Sequence, residues 1–176
     1  MGVNSGSVLK SKLNTVGSMV KSALDYIKRL EDLHFFDIVV SLKSSDVLET
    51  IEANRKMAKL CHYPIHLGVT ATGAPESGLV KSSIGIGLLL SEGIGDTIRV
   101  SLTAGPLVEV EAAKKILETF HLRHFGPEII SCPTCGRCEV NLVSMVKDLG
   151  NRLSTMDYGP STRAKKVAVM GCVVNG

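Results

Sequence analysis

The sequence has few aromatic residues, little excess charge and no long apolar run. It contains no tryptophan, four phenylalanines and three tyrosines, which weighs against a surface that stacks nucleic-acid bases. Its 20 Lys and Arg residues exceed its 17 Asp and Glu residues by a net charge of only +3, so no basic stripe is indicated. The longest strongly apolar stretch, residues 84–90, is too short to span a bilayer. We therefore expect no nucleic-acid or membrane partner.

Disulfide-based stability is also not expected. The first residues, MGVNSGSVLK, lack the charged and then apolar pattern of a secretory signal peptide. The chain has five cysteines, an odd number, and three of them stand close together at positions 132, 135 and 138. This usage favours a reducing compartment, and we expect a cytoplasmic protein whose cysteines bind a metal or a cluster.

The residue pattern predicts an α/β fold. Short β-rich runs recur at intervals of roughly 30 residues, with amphipathic helical patterns between them. This alternation is typical of βαβ crossovers and a parallel sheet that is covered by helices. Either an open doubly wound sheet or an incomplete (β/α) barrel fits, since a full barrel needs eight units and about 250 residues. The predicted strands are Gly2–Asn4, FDIVVSL (36–42), PIHLGVT (64–70), DTIRVSL (96–102), PEIISC (127–132) and KKVAVMGCVV (165–174).

The helices are predicted from apolar residues that recur every three or four positions. Asp46 followed by Glu49 is typical of a capping box, and Pro106 is expected in the first turn of a helix. A further helix is expected to begin near Glu139. The residues predicted to face a core are Met19, Val20, Ala23, Leu24, Ile27 and Leu30, then Val47, Leu48, Ile51 and Ala58, then Val110, Ala113, Ile116, Leu117 and Phe120, and finally Val143, Val146 and Leu149.

Polar residues stand at the C-terminal ends of the predicted strands. In parallel α/β folds these ends and the loops after them form the catalytic mouth. Any one of these residues could instead be a solvated loop start or pair with an acidic neighbour. As a set they suit an anionic group such as phosphate, and Arg99 lies inside an otherwise apolar strand, where a charge needs a partner. The set is Asn4, Ser41, Lys43, Thr70, Arg99 and Ser101.

The segment 73–96 is rich in glycine but is not a known phosphate loop. The GxxxxGK[ST] spacing is absent, so close helix packing and turns at Gly93 and Gly95 are the favoured interpretation. Lys81 and Ser82, near the start of this helix, could still help to hold an anion.

Four cysteines form the most specific pattern in the chain. Cys132, Cys135 and Cys138 give C-x2-C-x2-C, and Cys172 is a single remote partner. Thiolates at this spacing can point at one centre and hold an iron–sulfur cluster. Zinc could also take four thiolates, but a zinc ribbon more often presents two C-x2-C pairs. The pattern favours iron–sulfur, whereas Cys61 is expected to be a packed or idle thiol.

Several sequence blocks resemble one family in order and along essentially the whole chain. They are GVNSGS (2–7), VVSLKSSD (39–46), HLGVT (66–70), SGLVKSSIGIGLLLSEGIGDTIRVSL (77–102), SCPTCGR (131–137) and GCVVNG (171–176). The chain resembles the bacterial 4-hydroxy-3-methylbut-2-enyl diphosphate synthases, iron–sulfur enzymes of the non-mevalonate isoprenoid pathway. The resemblance implies the C-terminal part of a (β/α)8 TIM barrel over residues 1–125 and the start of a small α/β iron–sulfur domain over residues 126–176.

The resemblance also implies an activity for the parent protein. Enzymes of this family reductively convert 2-C-methyl-D-erythritol 2,4-cyclodiphosphate to 4-hydroxy-3-methylbut-2-enyl diphosphate, with electrons from ferredoxin or flavodoxin. They act as homodimers. The positions that match the family's motifs are Cys132, Cys135 and Cys172 as ligands of a [4Fe–4S] cluster, Lys43, Arg99 and Ser101 as diphosphate-binding residues, and Asn4 as a catalytic residue near the reacting part of the substrate.

The chain departs from the family's pattern in ways that bear on activity. The resemblance implies that the first half of the barrel precedes GVN and that a glutamate, the fourth ligand, follows GCVVNG. Ala71 stands where the family usually has an acidic residue, and alanine cannot transfer a proton. Cys138 could be idle or replace the glutamate. We therefore expect a fragment that is inactive alone; the alternatives are a degenerate non-catalytic paralogue or a zinc-binding α/β module for a phosphorylated ligand.

Overall fold

The structure is a computed structural model that describes residues 1–8, 14–156, 158 and 166–173. The chain divides into two compact units, residues Met1–Phe120 and His121–Gly176. None of the helices in the described part of the chain is long and apolar enough to cross a membrane.

The first unit consists of four parallel strands that alternate with four helices. β1 pairs with β2 and β3 pairs with β4, while a bridge between Val40 and Ile65 connects the two pairs. The strands therefore follow one another in chain order, as successive units of a (β/α) barrel do. Within the described residues no barrel closes. The elements are β1 (Gly2–Asn4), α1 (Thr15–Asp32), β2 (Ser41–Lys43), α2 (Val47–Ala58), β3 (His66–Leu67), α3 (Pro75–Ser91), β4 (Thr97–Ile98) and α4 (Pro106–Thr119), with a 3₁₀ turn at Ser5–Ser7.

The α/β prediction is confirmed, although the strands are shorter than the apolar runs. Two apolar clusters hold the helices against the sheet. The first consists of Val3, Val16, Met19, Val20, Ala23, Ile27, Ile38, Val40, Leu42, Ala53 and Met57. The second consists of Ile51, Ile65, Leu67, Ile86, Leu89, Val100, Ala112 and Ile116. Burial of each large side chain contributes about 1.5–3 kcal/mol relative to exposure.

Local sequence signals set the helix starts. Asp46 caps α2, since its side chain accepts the Glu49 N–H at 2.9 Å. The reciprocal half of the predicted box is replaced: the Ser44 hydroxyl donates to Glu49 at 2.7 Å and accepts the Asp46 N–H at 3.2 Å. Pro106 is the first residue of α4, as predicted. The two turns that lead into α2 and α4 are thus fixed by short-range chemistry.

Three residues that were predicted to face a core are exposed. Leu48 is 74% exposed, Val110 50% and Val143 68%. Each lies at the edge of an apolar stripe, where periodicity indicates the correct side of the helix but not how far the neighbouring layer extends.

The glycine-rich segment forms α3 and the turn after it. A Cβ on Gly85 would lie 2.9 Å from Val69 Cγ2, and one on Gly87 would lie 2.7 Å from Phe120, so these glycines allow close packing. Gly93 and Gly95 have φ values of +74° and +115° in the following turn. The packing interpretation is confirmed. The expected placement of Lys81 and Ser82 near the start of the helix was wrong, because both lie in the middle of α3 and Ser82 is fully buried.

The second unit contains a parallel pair of strands and one helix. β5 (Glu128–Ser131) pairs with β6 (Lys166–Val169), and α5 (Leu142–Ser154) packs on both. The predicted helix near Glu139 therefore begins three residues later, after Asn141 accepts the Ser144 N–H at 3.1 Å. Of the strand predicted at 165–174, positions 165 and 174 lie outside the described residues.

Candidate anion site and cysteine cluster

Alternate residues of the four barrel strands point to opposite faces. Val3, Leu42, Leu67 and, two residues after the end of β4, Val100 are buried against the helices. The residues between them therefore face the other side of the sheet, which in a barrel is the interior. The Cα partners of β1, β2, β3 and β4 bring these polar residues into rows across the strands.

One row contains Asn4, Lys43, Gly68 and Arg99. Asn4 is the Cα partner of Lys43, and the Arg99 N–H bonds to Leu67 O at 2.9 Å, which sets Arg99 beside Gly68. A Cβ on Gly68 would lie 2.8 Å from Arg99 O and 3.2 Å from Lys43 Nζ. The missing side chain at Gly68 is therefore what allows the Lys43 ammonium to lie across β3 toward Arg99.

The electrostatics of this row are unbalanced. Partial burial, and next the charge of Arg99, lower the pKa of Lys43 from its usual 10.5. Within the described residues neither Lys43 nor Arg99 forms an ion pair with a carboxylate, so pairing with an acidic neighbour does not explain them. Arg99 is exposed. Two cationic residues in one row of neighbouring strands are an arrangement that a bound anion stabilises.

The next row contains His66, for which the sequence motifs predicted no role. His66 is the Cα partner of Thr97, and its Nδ1 lies 2.9 Å from Thr97 Oγ1. Burial, then the charges of Lys43 and Arg99, lower the pKa of His66 from its usual 6.5. The sequence PIHLGVT indicates the position of His66, because His66 stands two positions before Gly68 and residues two apart in a strand lie on the same face.

Threonine side chains tie together the loops that follow β3 and β4. The buried Thr72 hydroxyl donates to Ser101 O at 2.5 Å, and Thr103 donates to Gly73 O at 3.1 Å. Ser101 is thereby held at the same strand end as Arg99. Ala71, in the first of these loops, has a φ of +51°, an uncommon conformation for a residue with a Cβ.

Asn4 lies at the start of a short turn on the same side of the sheet. Its N–H donates to Ser7 Oγ at 3.2 Å, and the Ser7 hydroxyl donates to Asn4 O at 2.9 Å. Asn4 is exposed. The structure therefore brings Asn4, Lys43 and Arg99 together in one row, with Ser101 beyond it.

In the second unit, parallel pairing brings distant cysteine segments to the same strand end. Ser131 is the Cα partner of Val169, so Cys132 and the segment that leads to Cys172 leave β5 and β6 side by side. The Glu139 N–H bonds to Gly171 O at 2.9 Å, and a Cβ on Gly171 would lie 2.6 Å from Cys138 Sγ. The C-x2-C-x2-C turn thus contacts the segment that carries Cys172.

The donor chemistry of these residues fits a thiolate-bound metal or cluster. All five cysteines are free thiols, Cys135 is exposed, and the other three of the second unit are half-buried. Cys138 Sγ donates to Val140 O at 3.3 Å. In the described part of the chain no three His, Cys, Asp or Glu side chains are gathered closely enough to hold a metal ion. The ligand set Cys132, Cys135 and Cys172 stays a prediction.

Cys61 differs from these four cysteines. It lies in the first unit, half-buried against the first apolar cluster, as expected of a packed thiol. The cavity beside it is lined by apolar side chains together with Tyr63, Lys28, Glu31 and His62. This thiol is therefore a suitable control for the cysteines of the second unit.

Comparison with known proteins gives a consistent result along the chain. Residues 1–114 match the family model described as the GcpE TIM-barrel domain, and residues 128–176 match the GcpE protein C-terminal domain. Relatives from Lawsonia intracellularis, Thermodesulfovibrio yellowstonii and Clostridium tetani are 52%, 54% and 50% identical over 181 aligned residues that cover 100% of this chain. Each is named 4-hydroxy-3-methylbut-2-en-1-yl diphosphate synthase (flavodoxin). The chain spans about half the length of these curated relatives, with 49%, 50% and 50% of them covered.

Proposed function

The chain belongs to the GcpE family, as its motifs predicted, and from this premise we propose that it is part of an iron–sulfur oxidoreductase of isoprenoid biosynthesis. The parent protein reductively converts 2-C-methyl-D-erythritol 2,4-cyclodiphosphate to 4-hydroxy-3-methylbut-2-enyl diphosphate. The observation that carries this proposal is the row in which Lys43 and Arg99 flank Gly68, with no ion pair from either to a carboxylate among the described residues. Residues 1–125 supply the diphosphate site and residues 126–176 supply cluster ligands.

Lys43, Arg99 and Ser101 bind the diphosphate in this proposal. The two cations neutralise the phosphate oxygens, and the charge that builds up on the leaving oxygen as the ring opens is stabilised by the same groups. Ser101 is held for this purpose by the bond from Thr72 to its carbonyl oxygen. Asn4, the strand partner of Lys43, lies beside the reacting part of the substrate.

Cys132, Cys135 and Cys172 hold a [4Fe–4S] cluster in this proposal, and the cluster supplies electrons to the substrate when bound. Support comes from the parallel register of β5 and β6, which directs the two cysteine segments to one strand end. Because the named relatives carry flavodoxin in their names, flavodoxin is the proposed electron donor, with ferredoxin as the alternative. We also propose a cytoplasmic homodimer with no nucleic-acid or membrane partner.

Ala71 favours a second candidate, a non-catalytic paralogue or a zinc-binding module that binds a phosphorylated ligand. An alanine cannot hold the proton that the family's acidic residue is thought to transfer. If the site is otherwise intact, Ala71→Glu in the complete protein raises turnover. No gain would leave the non-catalytic candidate favoured.

Metal content tests the cluster half of the proposal. After anaerobic reconstitution with iron and sulfide, the wild-type chain is expected to bind both, whereas Cys132→Ser, Cys135→Ser and Cys172→Ser variants lose them. Cys61→Ser, the matched control, retains the wild-type content because this thiol packs in the first unit. Stoichiometric zinc without iron would instead support the zinc-binding module.

Binding of inorganic pyrophosphate tests the anion half. Arg99→Ala is expected to weaken binding by about 10- to 100-fold, the range for loss of a hydrogen bond to a charged group. Lys81→Ala is the control, because Lys81 lies in the middle of α3. Equal affinities of the two variants in calorimetry would refute the assignment of Arg99.

A further inference from the structure

We propose that His66 is a third anion-binding residue of this site and that it takes up a proton when a phosphate group binds between Lys43 and Arg99. The inference rests on the proposed diphosphate site and deepens it. It concerns a residue outside the set that the sequence motifs indicated.

The backbone sets the position of His66. Its N–H donates to Val40 O at 2.7 Å, and its Cα partner in β4 is Thr97. The next residue, Leu67, is fully buried against the helices, so the imidazole lies on the opposite face. Gly68, which follows on that same face, is the residue over which the Lys43 ammonium lies. The imidazole is therefore one row away from the two cations.

Thr97 orients the imidazole in either charge state. The distance from His66 Nδ1 to Thr97 Oγ1 is 2.9 Å. A hydroxyl can donate to an unprotonated ring nitrogen and can accept from a protonated one, so this contact persists through a change of charge. With Nδ1 engaged by Thr97, Nε2 is the nitrogen left to bind a phosphate oxygen.

The charged groups that face His66 come from the two neighbouring strands. Lys43 lies on β2 and Arg99 directly follows β4. Burial, and then the charges of Lys43 and Arg99, lower the pKa of His66. The carboxylate of Asp96, just before β4, accepts a hydrogen bond from the backbone N–H of Ile65 at 2.7 Å. The helices cover the other face of the sheet. The described residues therefore favour the uncharged imidazole.

An anion reverses this balance. A phosphate group between Lys43 and Arg99 adds negative charge, which favours the imidazolium and raises the pKa of His66. By linkage, binding takes up a proton, and affinity rises as the pH falls from above the pKa of the complex toward that of the free protein. The protonated ring then donates a charge-assisted hydrogen bond to the ligand.

Titration of the full chain by NMR tests this directly, with inorganic pyrophosphate as the probe and His66 assigned through the backbone. Without pyrophosphate, the pKa of His66 is expected below 6.5. At saturation it is expected to rise by about one unit or more. An unchanged His66 pKa in a chain that binds pyrophosphate overturns this inference alone. Absence of pyrophosphate binding overturns the anion site as well.

A variant provides an independent measurement. His66→Gln retains a hydrogen-bonding side chain next to Thr97 but does not titrate. As the pH is lowered from about 8 to about 6, wild-type affinity for pyrophosphate is expected to gain up to about tenfold more than that of His66→Gln, since one pKa unit corresponds to a factor of ten. His62→Gln, whose side chain lines a cavity beside α1, is expected to follow the wild type. Identical pH profiles for wild type and His66→Gln overturn the inference.

Discussion

The two units of the chain build their candidate sites in different ways. In the first unit, two apolar clusters and the strand register fix the backbone that carries Lys43 and Arg99. In the described part of the second unit, Leu142 is the one buried large apolar residue. The cysteines of this unit lie on turns. A site that is fixed by packing exists before its ligand binds, whereas a cysteine site on a poorly packed unit depends on its metal for order.

Metal removal is expected to produce the largest difference in stability between the two units. Chelation of the reconstituted chain should accelerate hydrogen exchange of β5 and β6 amides by roughly three orders of magnitude, because metal binding supplies folding free energy to this unit. Exchange in β1 and β2 should stay unchanged. Equal acceleration in both units, measured by mass spectrometry, would contradict this difference.

Core truncation is expected to affect the first unit next most strongly. Leu42 is fully buried, so Leu42→Ala should lower the free energy of unfolding by about 2–5 kcal/mol. The matched control is Leu48→Ala, since Leu48 is 74% exposed and should lose no more than about 0.5 kcal/mol. Denaturant titration of both variants provides the measurement, and similar losses would show that Leu48 packs in solution.

The open space at Gly68 gives a sharper test of preorganisation. Gly68→Ala places a Cβ 2.8 Å from Arg99 O and 3.1 Å from Lys43 Cε, so both should shift. Overpacking of this kind lowers stability by about 1–3 kcal/mol, and pyrophosphate affinity should fall with it. Gly6→Ala, which meets nothing within 4 Å, is the control. Wild-type affinity in the Gly68→Ala chain would show that Lys43 does not need this space.

The smallest expected effect concerns the hydrogen bond from Thr72 to Ser101 O, which connects the loops after β3 and β4. Thr72→Val removes the donor to Ser101 O and should lower the free energy of unfolding by about 1–2 kcal/mol, because Thr72 is buried. Thr103→Val removes an exposed bond to Gly73 O and should change it less. If Thr103→Val is the more damaging substitution, the exposed bond and not the buried one holds the loops.

Local patterns predicted most of the secondary structure. The helical stripe from Met19 to Leu30, the cap at Asp46 and the first-turn proline at Pro106 depend on residues close in sequence, and all three are found. Leu48 and Val143 were misplaced because exposure depends on how far a neighbouring layer extends, which periodicity does not report. His66 was overlooked because its significance comes from Lys43 and Arg99 on other strands.

The sequence alone determined the α/β class, the family and the chemical types of the candidate ligands, because apolar spacing and short cysteine and glycine motifs are local properties. Only the tertiary structure decided which of those groups meet. Parallel register placed Asn4, Lys43 and Arg99 in one row, and the lack of a side chain at Gly68 let the lysine cross β3. Such contacts depend on strand pairing between residues far apart in the chain, and no spacing rule within one segment contains that information.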